Sequence, residues 1–228
     1  MDTALLNDIL MFAIPVILAI TLHEAAHGYV ALHFGDTTAR DAGRVTLNPL
    51  KHVDPFGTIM LPLLLIISNA GFIFGYAKPV PVKFGELRNP RWDMIWVAIA
   101  GPAMNVLLAI VSVLLLRLLL SSTGVAGIDV VLNLLLRSAQ LNIVLAVFNM
   151  LPLPPLDGSK VLAPFLPIAL ARPYLGLERF GMLILLGLLV FLPILGQRTG
   201  NNFDLFGLLV QRPAYYVVQS LLALVGIG

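Results

Sequence analysis

His23, Glu24 and His27 stand in the run His23-Glu-Ala-Ala-His27, inside an apolar stretch from about Ala4 to Phe34. On a helix, two histidines four residues apart lie about 40° apart around the axis and one turn along it, so both imidazoles reach one ion. Glu24 projects beside them, where a carboxylate can take a proton from water held at that ion. This pattern points to metal-assisted hydrolysis. In an apolar helix, two histidines and a glutamate within five residues cost several kcal/mol unless they are paired or coordinated. A polar cluster satisfied by neighbouring helices is the alternative explanation.

A catalytic zinc site needs a third protein ligand. The chain has no cysteine, so neither a thiolate site nor a disulfide framework is available. Asp157, in Leu151-Pro-Leu-Pro-Pro-Leu-Asp157-Gly158, is the leading candidate because it follows a helix stop. Taken alone, Asp-Gly is an ordinary turn signal. His33 lies six residues past His27, about 240° away around the helix. His52 sits in a basic loop and reads as a loop residue or as support for a ligand.

The elements that must position these groups are apolar. Of 228 residues, 59% are hydrophobic and 11% charged, about half the charged share of soluble domains. With a mean hydropathy of +0.95, the expected fold class is an all-α polytopic membrane protein. About five to six apolar helical segments are expected, with a re-entrant or interfacial segment and short extended loop strands. Beyond the first helix come a run at 56–74, a long helix at about 94–120 and another at about 130–151, stopped by Pro152, Pro154 and Pro155. Further apolar runs cover about 180–195 and 205 to the C-terminus. The Pro79-Val80-Pro81-Val82 stretch is extended, since proline disfavours helix in the residue before it. One domain, 1–228, is expected, with a catalytic core at about 8–165 and C-terminal helices at about 180–228. Asp2 and Asp8 stand where a signal peptide would be basic, so no cleavable leader is expected.

Basic residues flank the 56–74 run on both sides: Arg40, Arg44 and Lys51 before it, Lys78, Lys83, Arg88 and Arg91 after it. Both clusters favour the cytoplasmic side, so this run is expected to dip in and return. The HEAAH half of the first helix and Asp157 then share one side of a multi-pass cell membrane protein, near the cytoplasm. The net charge of +2 is too small to indicate nucleic acid.

Three motifs, HEAAH at 23–27, Ala-Gly-Pro-Ala-Met-Asn at 100–105 and Asn149-Met-Leu-Pro-Leu-Pro-Pro-Leu-Asp157-Gly158, stand in the order found in the site-2 proteases. The chain resembles that family of zinc intramembrane metalloproteases. The runs GRVTLNPLKHVDPFGT at 43–58 and AKPVPV at 77–82 are similar to its compact prokaryotic branch. The resemblance implies one zinc ion per chain on His23, His27 and Asp157, with Glu24 as catalytic acid and base. It implies Asn149 as a polar group near the reacting carbonyl and Asn105 as an amide that holds a strand or substrate segment. For Asn105 an interhelical hydrogen bond is the equal alternative. Gly101-Pro102 reads as a kink and close-packing site. Val80 and Val82 are candidates to pair with an unwound substrate strand by edge addition. The implied partners are a transmembrane protein substrate and the lipid bilayer, with a homo-oligomer left open. No PDZ or CBS domain and no full transmembrane helix before the HEAAH helix are expected.

A metal transporter would place several metal sites along a path, and a membrane di-iron oxidase would need more than the four histidines present. A proteolytically dead scaffold would have no need of an intact HEAAH and Asp157.

Overall fold

The computed structural model describes residues 3–60, 63–64, 76–122, 126–188 and 204–227. Three helices among them are long and apolar enough to cross a membrane: Ala13–His33 within α1 (Thr3–His33), α3 (Pro90–Leu119) and α4 (Ile128–Asn149). Shorter helices are α2 (Thr38–Asp41), α5 (Asp157–Leu162), α6 (Ile168–Gly176), α7 (Gly181–Leu186) and α8 (Arg212–Leu224). Three of the five to six apolar segments expected are thus candidate spans among the described residues. Most of the run at 56–74, expected to be re-entrant, and the end of the run at 180–195 lie outside them.

The helix ends follow from local chemistry. α1 stops where Gly35 takes a left-handed φ of 107° and the Asp36 N–H turns back to Ala31 O. α3 begins four residues earlier than expected because Pro90 fits the first helical turn and the Asp93 carboxylate accepts from Asn89 N–H. α4 ends before the prolines, as their missing N–H groups require.

The packing inverts the soluble pattern. Along α3, Val97, Ala98, Gly101, Asn105, Ala109, Ser112, Val113 and Leu116 are buried. Its outer face shows Leu107, Leu114, Leu115 and Leu118, each more than two-fifths exposed. Small and polar side chains inside with large apolar ones outside are what helices packed in lipid require, because close backbone approach replaces the hydrophobic drive. α3 and α4 pack along Ala109, Val113, Leu116, Ala139 and Ile143, and α8 joins them through Ala214, Val218 and Leu222. A second cluster, Ala31, Leu87 and Val97, ties the end of α1 to the start of α3.

Between α2 and α3 the chain forms no strand among the described residues. Residues 76–83 form neither helix nor strand, and Pro79 and Pro81 have no N–H to donate to a ladder. Side chains and a backbone bond hold this segment instead. Arg44 Nη2 donates to Lys78 O at 2.6 Å, Lys78 N–H to His52 O at 2.9 Å and Lys83 N–H to Asp36 Oδ2 at 2.7 Å. Burial works against ionisation of Asp36, yet the Thr38 and Lys83 donors and the Lys83 charge outweigh it and hold its pKa below the usual carboxylate value.

Candidate metal centre

His23 and His27 face inward from the second half of α1, both more than nine-tenths buried. Asp157 opens α5, directly after the proline turn that follows α4. That turn folds back tightly: a Cβ on Gly158 would lie 2.5 Å from Leu151 O. Arg91, in the first turn of α3, donates from Nε (2.9 Å) and Nη2 (2.6 Å) to Pro164 O and so fastens the segment after Asp157 to α3.

The three groups converge. Asp157 Oδ2 lies 3.2 Å from His23 Nε2 and 3.4 Å from His27 Nε2, and the two Nε2 atoms are 3.0 Å apart. Among the described residues these are the histidine and acidic side chains whose ligand atoms gather as a metal site requires.

Their protonation follows from what stands behind them. His27 Nδ1 lies 2.7 Å from Val97 O, a carbonyl that can only accept, so Nδ1 carries the proton. His23 Nδ1 lies 2.6 Å from Asn105 Oδ1, likewise an acceptor. Both Nε2 atoms therefore present lone pairs. Asp157 Oδ2, buried beside them, finds no hydrogen-bond donor. Three acceptors meeting with no donor among them are the arrangement that a bound cation satisfies. Two imidazoles and one carboxylate form a donor set that suits zinc.

Gly101 belongs to this centre. A Cβ there would sit 2.5 Å from His23 Nε2 and overlap His27 Nε2. Sequence reading treated it as a packing glycine; what it packs against is the metal-facing side of the two imidazoles.

Glu24, half-buried on the same helix, accepts from Val80 N–H through Oε2 at 2.7 Å. The segment at 76–83 thus touches the candidate base. The Val80 side chain is buried against Gly28, and Val82 packs on the cluster at the end of α1. Asn105 is fully buried; its Nδ2 donates to Asn142 Oδ1 at 2.8 Å and lies 3.4 Å from Ala19 O, so its amide bonds between helices. Asn149, the last residue of α4, donates to Leu145 O one turn back and is not drawn to the His–Asp cluster by any hydrogen bond. His33 is exposed at the end of α1. His52 is buried and donates from Nε2 to Thr46 O, so neither of these histidines joins the centre.

Comparison with known proteins agrees with this donor set. Residues 11–128 match the family model described as peptidase family M50. YwhC of Bacillus subtilis, named as a candidate zinc metalloprotease, is 38% identical over 211 residues, covering 87% of this chain and 91% of that protein. Rip2 of Mycolicibacterium smegmatis, named likewise, is 31% identical over 181 residues, which is 76% of this chain and 64% of the relative. Rip2 of Mycobacterium tuberculosis strain H37Rv is 29% identical over 84% of this chain and 71% of its own length. No solved structure matches the chain. The chain belongs to peptidase family M50, the site-2 protease family, and is a zinc metallopeptidase.

Proposed function

We propose that this chain hydrolyses peptide bonds in or near the transmembrane segments of membrane proteins, with His23, His27 and Asp157 holding one zinc ion and Glu24 as general acid and base. The observation that carries the ligand set is the meeting of His23 Nε2, His27 Nε2 and the donor-less Asp157 Oδ2 at one point. Zinc, when bound, supplies Lewis acidity that polarises the scissile carbonyl and acidifies water. Glu24 takes a proton from the attacking water and returns it to the leaving amine. The Val80 N–H bond to Oε2 leaves the other carboxylate oxygen for that proton. Asn149, at the end of α4, is the amide assigned to the oxyanion of the reacting carbonyl, a role that requires it to leave its bond to Leu145 O.

An intramembrane substrate is favoured by the burial of the centre among helices whose outer faces are large and apolar. A substrate helix must unwind locally, because its amides are occupied by internal hydrogen bonds. Val80 and Val82 offer such a strand an extended partner, with Val82 N–H and the Val80 carbonyl left over by the bonds among the described residues. The site faces the cytoplasmic side in this reading, since Arg40, Arg44, Lys78, Lys83, Arg88 and Arg91 cluster around the His33 end of α1 and the start of α3. Five to six membrane segments, with 56–74 re-entrant, complete the proposed topology.

The test is to co-reconstitute the full chain with a single-span model substrate and locate the cut by mass spectrometry. A cut within the span, present for wild type and absent for Glu24→Gln, supports the proposal. Cleavage confined to soluble peptides would remove the intramembrane part of it.

A further inference from the structure

Behind His23 a line of buried polar groups crosses from α1 through α3 to α4. His23 Nδ1 meets Asn105 Oδ1 at 2.6 Å, and Asn105 Nδ2 meets Asn142 Oδ1 at 2.8 Å. Asn142 Nδ2 lies 2.9 Å from Ser138 O and 3.4 Å from Ser138 Oγ. Ser112 Oγ bonds to Ser138 Oγ at 2.9 Å. Asn105 is fully buried and Asn142 is 1% exposed, so neither amide has water to fall back on.

The direction of this line follows from its far end. Ser138 O is a backbone carbonyl and can only accept, so the amide atom of Asn142 that faces it is the nitrogen. Asn142 then turns its oxygen toward Asn105, which must answer with its own nitrogen. Ala19 O, also acceptor-only and 3.4 Å from that nitrogen, requires the same orientation. Asn105 is left presenting oxygen to His23, and His23 must carry its proton on Nδ1. Reversing either amide would set oxygen against oxygen at a buried site with no water to satisfy them.

We propose that Asn142 is a positioning residue for the metal centre: acting through Asn105, it fixes His23 in the Nδ1–H tautomer and so aims the Nε2 lone pair at the metal. The proposal rests on the reading of His23 as a ligand. A lone asparagine in an apolar helix more commonly serves as interhelical glue, and that role would affect stability without altering the tautomer or the metal affinity. Partners behind ligating histidines characteristically set both orientation and basicity.

The experiment uses the full-length chain in detergent, stripped of metal and titrated with zinc against a chelator of known affinity. Asn105→Leu and Asn142→Leu are each expected to weaken zinc binding about 10–100-fold. Because Asn142 acts only through Asn105, the double variant should bind no more weakly than Asn105→Leu alone. Ser112→Ala, which leaves the Asn142 bond to Ser138 O in place, should bind as wild type does. Selective 15N-histidine NMR of zinc-loaded wild type needs no variant and should find His23 protonated on Nδ1 with Nε2 on the metal. That spectrum decides the question if the leucine variants fail to fold. Wild-type affinity in Asn142→Leu, losses that multiply in the double variant, or an Nε2–H tautomer at His23 would each overturn the proposal. If His23→Gln leaves zinc binding of the otherwise wild-type chain intact, the ligand reading itself fails, and the two failures are thereby distinguished.

Discussion

Gly101→Ala adds one methyl group and should disable the centre. The new Cβ would lie 2.5 Å from His23 Nε2, whereas ordinary contact begins at 3.4 Å. Relief requires both imidazoles, or α3 itself, to shift by about 0.9 Å or more, and a zinc–nitrogen bond of about 2.0–2.1 Å does not survive such a shift. The loss should exceed the effect of removing an outer partner, so zinc affinity should fall about 100-fold or more. The metal-free fold should suffer little. Alanine is better in a helix interior by about 0.8–1.0 kcal/mol, which offsets part of an overpacking cost of about 1–3 kcal/mol. The assay pairs a zinc competition titration with thermal unfolding of the metal-free protein. Wild-type zinc affinity in Gly101→Ala would refute the placement of the ion between α1 and α3. A variant that does not fold at all would refute the claim that this glycine serves the centre rather than the packing.

Glu24→Gln should keep zinc bound and lower cleavage about 10²–10⁴-fold, measured as turnover of a reconstituted substrate alongside metal content. Val80→Pro continues the proline-rich extended run and removes the N–H that Glu24 accepts. Turnover should fall about 10-fold with metal content unchanged, the bond being a charge-assisted one worth about 1.5–3 kcal/mol; unchanged turnover would show that this contact does not orient the base. For Asp36, the folded-state pKa is depressed, so its stabilisation is complete above the unfolded value of 3.8 and is lost as pH falls through the lower folded value. Asp36→Asn should therefore unfold at a lower temperature than wild type at pH 7, with the gap closing below about pH 4. A gap that persists undiminished at pH 3 would contradict this.

The parts of the centre legible in the sequence are those whose residue type is itself the signal. HEAAH in an apolar helix announces two imidazoles and a carboxylate because any other use of them at that depth is costly. Asp157 could be singled out because the prolines before it end a helix and a third ligand was needed. Other parts carry no such mark. The Val80 N–H that meets Glu24 is a backbone group, and every residue except proline has one. Asn142 is a single amide in an apolar helix, and its i, i+4 spacing from Ser138 is the one trace of the bond it makes. Gly101 reads as packing because sequence does not say which helix it faces. The starts of α3 and α4 fall four and two residues before expectation, because Pro90 fits the first helical turn and Gly127 caps the helix that follows it, and neither residue is apolar enough to be counted in a hydrophobic run.

The central claim is that one zinc ion sits on His23, His27 and Asp157. X-ray absorption at the zinc edge on the purified full chain, beside Asp157→Ala, tests it most directly. The account predicts one zinc per chain with two imidazole nitrogens and light oxygen ligands at about 2.0–2.2 Å, and a marked loss of zinc in Asp157→Ala. A wild-type spectrum without imidazole ligands, or full zinc content and an unchanged spectrum in Asp157→Ala, would contradict it.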